Sequence, residues 1–150
     1  MSERVDEERA DGEVELSQEA GEWAVVAMAC MAMADGVVVD AELERARELV
    51  KSTAIIRDTL GPEFGEQRFV DIVERIAGDP ASEMEHVKEE LRALAGRIAE
   101  QAQRDIAFQT LISVACADRE IAPAERKLMV ALKEILGTTV LVPQGLVSCD

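Results

Sequence analysis

Four carboxylates, Asp35, Glu42, Asp118 and Glu125, are the side chains here whose types and spacing could do chemistry. They fall in two stretches, "AMADGVVVDAEL" and "ACADREIAPAER", which superpose when the chain is shifted by 83 residues. Each stretch closes an apolar helix with Asp, turns, and sets a Glu near the start of an amphipathic helix. Two carboxylates joined by a tight turn can face each other and bind a hard cation such as Ca²⁺, with Glu120 or backbone carbonyls adding oxygens. The same residues also have a purely structural use. An Asp beside Gly ends a helix and turns the chain. A Glu early in a helix meets the positive end of its dipole and can reach back as a capping-box partner. Calcium prefers about six to eight oxygens, and the spacing is not that of an EF-hand loop. Structure is therefore the simpler account, with a divalent cation as an optional ligand and no cofactor required.

The repeat also tests a competing chemistry. "AMACMAMADG" sets Met28, Cys30, Met31 and Met33 before the first Asp, a candidate soft-metal site. In the second copy these positions are Leu111, Ser113, Val114 and Cys116. A soft metal would need the sulfurs, whereas a core needs only volume. The methionines are expected to be core. Across residues 32–51 and 115–134, six of twenty positions are identical, among them both Asp and both Glu. The order of features argues more than the count: apolar helix, Asp, turn, isolated Val38 or Ile121, Glu, amphipathic helix, twice over.

The elements that must position these residues are helical. Ala, Leu, Glu and Arg abound, and there is no Tyr, one Trp and three Phe. Periodicity predicts a first helix over 17–34, an extended link over 37–39, and a second helix from Asp40 whose stripe runs Leu43, Ala46, Leu49, Val50, Ala54. Gly61-Pro62 opens a third, with Phe69, Ile72, Val73 and Ile76 inward. Asp79 caps a fourth that begins at Pro80 and carries Met84, Val87, Leu91, Leu94 and Ile98. A break is expected over 100–104, then a fifth helix to Asp118 and a sixth over 123–136, closed by Gly137. Residues 1–17 read as a disordered acidic arm, 18–137 as one helical domain, and 138–150 as a β-leaning tail.

Formal net charge is −15, with no basic run to meet phosphates, so nucleic acid is not an expected partner. The cysteines Cys30, Cys116 and Cys149 are odd in number and form no CxxC, which suits a reducing compartment. No signal peptide is expected at the N-terminus. The longest apolar run, residues 23–34, is twelve residues and too short to span a bilayer, leaving peripheral membrane association. His86 lies beside the apolar stripe of the fourth helix and reads as a flank residue. No activated nucleophile or phosphate loop is present.

"MAMADGVVVDAELERARELV" and, later, "VACADREIAPAERKLMVALKEILG" resemble the TerB family of tellurite-resistance proteins. The same domain occurs in the N-terminal part of a membrane-anchored DnaJ-type co-chaperone. The resemblance covers about residues 22–137; Arg119 stands where the family's second motif usually has Gly. It implies an all-α, pseudo-twofold bundle of about six to seven helices built from a duplicated helix–turn–helix unit, with both acidic motifs on one surface. By position, Asp35, Glu42, Asp118 and Glu125 match the family's acidic residues. It also implies a non-enzymatic, cytoplasmic component of a stress-resistance system, working with integral-membrane and cation-binding partners at the inner face of the membrane.

The expected function is therefore an acidic interaction module that docks protein partners, with a cation tuning its face. A divalent-cation sensor is the alternative, followed by a homo-oligomeric structural role. A carboxylate-dependent hydrolase comes last, since it would need strongly shifted carboxyl groups. No residue set would chelate or reduce an oxyanion, so any resistance is expected to act through partners.

Overall fold

The computed structural model describes residues 17–34, 40–115 and 123–142. These hold seven helices: α1 (Gln18–Ala32), α2 (Asp40–Ser52), α3 (Ala54–Thr59), α4 (Pro62–Gly78), α5 (Pro80–Gly96), α6 (Gln101–Ala115) and α7 (Pro123–Leu136). No strand occurs among the described residues. The acidic arm up to residue 16, the link at 37–39 and the end of the expected fifth helix lie outside them.

α1 is apolar almost all the way round, and eleven of its 15 residues are buried. A helix of that composition has no wet face and must be surrounded. It touches each of the other six helices. Ser17 starts it, its Oγ accepting from the Ala20 N–H at 3.0 Å. Met28, Cys30, Met31 and Met33 are all buried, as the repeat argued.

The stripe expected to continue α2 through Ala54 is cut at Thr53. The Ser52 and Thr53 hydroxyls bond back to the Glu48 and Leu49 carbonyls, competing with the backbone pattern. Ala54 thus opens a separate short helix, α3, which buries Ile55 and Ile56. Gly61, at φ 90°, then reverses the chain into Pro62 at the head of α4. Asp79 does occupy the cap position of α5, yet its side chain makes no capping bond; Pro80 alone marks the start. The break expected at 100–104 falls earlier, over 97–100. α5 ends at Gly96, and the Arg104 guanidinium caps its open carbonyls, donating to Ile98 O at 2.9 Å and Ala95 O at 3.3 Å.

The two helix–turn–helix units share a plan. Their first helices, α1 and α6, pack together; their second helices, α2 and α7, lie on α4 and α5 respectively; and α4 packs on α5. The units are unequal in burial, because α6 covers one side of α1 and leaves Ile106, Ile112 and Val114 half-buried. Ion pairs tie the outer layer. Arg68 reaches Glu22 of α1 (3.1 Å) and Glu90 of α5 (3.5 Å), and Arg75 reaches Glu83 (2.9 Å) and Glu90 (2.7 Å).

Residues 138–142 follow Gly137, whose φ of 76° closes α7. Asp105 of α6 accepts from Thr138 Oγ1 (2.6 Å), Thr139 N–H (3.1 Å), Thr139 Oγ1 (3.1 Å) and Gln101 Nε2 (3.1 Å). Lys133 Nζ donates to the carbonyls of Thr138 (3.0 Å) and Val140 (2.8 Å). The Thr138 hydroxyl, then the other donors, hold the Asp105 carboxyl below its ordinary value. A depressed carboxyl stabilises the fold above the unfolded-state value and loses that contribution as pH falls through the folded one. The melting-temperature gap between wild type and Asp105→Asn should therefore be widest near neutrality. It should close as pH drops below about 4, measured by circular dichroism.

Close approach explains two mid-helix glycines. A Cβ on Gly21 would lie 1.9 Å from Thr59 Oγ1 and 3.2 Å from Ile55 O, and one on Gly65 would lie 2.4 Å from Ile56 Cγ2. Gly21→Ala gains up to about 1 kcal/mol of helix propensity but meets roughly 1–3 kcal/mol of overpacking. The variant is expected to melt below wild type, and adding Thr59→Ala should recover part of the loss. A higher melting temperature for Gly21→Ala alone would contradict this packing.

Candidate functional site

The Ser17 N–H donates to Gln103 Oε1 of α6 at 2.9 Å, so α1 and α6 begin side by side. Both are 15 residues long and pack on one another. Their last residues, Ala32 and Ala115, lead into the two acidic motifs. Neither helix has a basic residue in its last turn. The partial negative charge of these two C-terminal ends meets no basic side chain within the helices' own last turns.

Asp35, Asp118, Glu120 and the Glu42 side chain lie outside the described residues. What can be compared is the register of the two Glu. Glu42 is the third residue of α2 and Glu125 the third of α7, so the repeat keeps its register in three dimensions. Glu125 is half-buried in the first turn of α7. Third position is where a capping-box carboxylate sits. The residues before these helices are Val39 and Ala122, however, which carry no side-chain oxygen to complete the box. Half of the capping argument for the two Glu is thus missing, leaving the dipole as their structural use.

Other candidates resolve simply. Among the described residues, no three His, Cys, Asp or Glu side chains converge as a metal site. His86 is exposed on α5 and contacts Glu83 at 3.4 Å, a flank residue as expected. The Glu83 carboxyl is held below its ordinary value by Arg75 and then His86, the opposite of what a general acid needs. A groove of about 240 Å³ between α5 and α7 is lined by Glu85, Lys88, Arg92, Ala131, Glu134 and Ile135. Its charges are mixed, and Lys88 already pairs with Glu85 at 3.5 Å. No helix among the described residues is long and apolar enough to cross a membrane.

Three positioning features escaped the sequence reading. Gln103 sat in a segment taken for a break, and nothing in its neighbours marks it as buried. Asp105 joins a tail that sequence pattern could not place. Gly21 and Gly65 did carry a signal, since glycine inside a helical pattern asks for a packing reason.

An all-helical bundle with a duplicated acidic helix–turn–helix unit is the class that fold and repeat define. The model of the family described as "Tellurite resistance protein TerB" matches residues 22–140, and the chain belongs to that family. The match reaches past Gly137 into the residues bonded to Asp105. No curated protein and no solved structure matches the chain.

Burial of Cys30 pushes its thiol up to about 12, so it stays protonated at neutral pH and is a poor soft-metal ligand or nucleophile. In a Cys116→Ser/Cys149→Ser background, native protein should resist iodoacetamide and label only after denaturation. Rapid labelling of the folded chain would contradict the buried, sulfur-lined core.

Proposed function

We propose that this TerB-family protein is a non-enzymatic component of a tellurite and chemical-stress resistance system, acting as an acidic interaction module. Its working face is formed by the two repeated motifs, Asp35 with Glu42 and Asp118 with Glu125, and a divalent cation such as Ca²⁺ tunes that face. Glu120 is a further oxygen donor in the second motif. Partners are proteins, including integral-membrane and cation-binding components of the same system. They would hold the chain at the inner face of the membrane.

One observation carries this reading. The carboxylates recur at the same sequence register after two helices that start together and pack together, which supports a face shared by both motifs. Four carboxylates drawn from both copies approach the oxygen count that a hard cation needs, where either pair alone does not. The absence of basic residues from the last turns of α1 and α6 supports the same sign of ligand. Net charge argues that a tellurium oxyanion is not bound directly, and that resistance is exercised through partners.

Calorimetric titration with Ca²⁺, Mg²⁺, Mn²⁺ and Zn²⁺ tests it, beside an Asp35→Asn/Asp118→Asn variant. Stoichiometric binding lost in a still-folded variant is the expected result. Equal heats in both proteins, or none in wild type with a lowered melting temperature in the variant, would reduce the motifs to helix-turn architecture. Stoichiometric binding of tellurite itself would overturn the indirect role.

A further inference from the structure

The segment after α7 is tied to its neighbours by side-chain hydrogen bonds. Its burial alternates: Thr138 is buried, Thr139 exposed, Val140 half-buried, Leu141 82% exposed and Val142 half-buried. That two-residue rhythm is the one an extended chain shows when it lies along a surface. Its hydrogen bonds to the rest of the chain run to α6 and α7 alone among the described residues. Asp105 takes both threonines and Lys133 takes two carbonyls, while Gln101 Nε2 reaches Gly137 O at 3.0 Å. The Val140 N–H closes on Thr138 Oγ1 at 3.2 Å, within the segment itself.

Two facts give this arrangement a consequence. First, α6 and α7 touch each other only slightly and sit instead on α1 and α5, so the segment is a polar cross-tie between them. Second, the segment's apolar cover is confined to Val140 and Val142, half-buried against the core, while Leu141 is 82% exposed. Opening it forfeits polar bonds that water can replace, and the partial burial of two valines rather than a fully buried apolar side chain. Regions held in that way open locally, below the free energy of global unfolding.

We propose that residues 138–142 form a latch, which ties α7 to α6 through Asp105 and Lys133 and undocks as a unit while the α1-centred core stays folded. Undocking loosens the far end of the helix whose first turn carries Glu125, so the second helix–turn–helix unit is the one free to move. The first unit is held differently: Arg47 and Lys51 of α2 pair with Glu66 of α4, and α2 is followed after one residue by α3. The latch is independent of whether the acidic motifs bind a cation.

Hydrogen exchange read by mass spectrometry on the full chain tests it, comparing wild type with Asp105→Asn and Thr139→Val at neutral pH. In Asp105→Asn, peptides over 137–142 should exchange roughly tenfold faster, with a smaller rise in α7, while α1 and α4 stay far more protected than the segment. Thr139→Val keeps the carboxylate and removes one donor, so a smaller acceleration confined to the same peptides is expected. The idea fails if 137–142 exchanges at the wild-type rate in both variants. It fails equally if 137–142 is as strongly protected as α1 and α4 in wild type, since the tail would then be part of the cooperative core.

Discussion

Burying α1 on every side is the constraint on which the rest of the structure depends. A helix with no polar face cannot sit at a surface, so the other helices are disposed around it. The residues that allow this are small: Ala20, Ala24, Ala27 and Ala29 are fully buried, and Gly21 brings α3 within reach of the α1 backbone. Small residues let neighbouring helices come close, and the methionines fill the irregular space that remains. The arrangement carries a cost at Trp23, whose fully buried indole nitrogen has no partner among the described residues.

The same constraint makes the duplicated units unequal. One copy supplies the hub and the other supplies a helix that lies upon it. α6 keeps the length and the pairing of α1 but buries only Gln103, Ala107, Phe108 and Leu111. Its polar first turns are put to use instead: Gln103 receives the start of α1, Arg104 caps the end of α5, and Asp105 holds the segment after α7. Three consecutive side chains thus join three separate pieces of chain. That stretch looked like a break in sequence because its polarity serves long-range bonds.

Helix identity was legible wherever an apolar period ran on, as in Phe69, Ile72, Val73 and Ile76 or in Val87, Leu91 and Leu94. The sulfurs were legible as core through the repeat, since the second copy sets Leu111, Ser113 and Val114 at three of the four positions. Boundaries set by side chains bonding to distant or preceding backbone were not. Thr53 splits one stripe into two helices through a hydroxyl bond that periodicity does not encode. The Arg104 cap depends on a tertiary approach. For the acidic motifs, sequence gave residue types and spacing, and the structure adds the common register of Glu42 and Glu125 and the shared starting end of α1 and α6.

Those additions change the balance between the two accounts of the carboxylates. Turn-making explains the Asp residues, and the dipole explains part of the Glu. Neither explains why both copies retain both residues on helices so differently buried. The proposed shared cation would, since it needs the two motifs together and is indifferent to how much of each helix is core. The direct test is nuclear magnetic resonance of the full chain with Mn²⁺ added to one equivalent. The account predicts broadening of amides flanking both motifs, around residues 33–43 and 114–126, together and in proportion. Broadening at one motif alone, or none at either, would contradict the claim that the two copies act as one face.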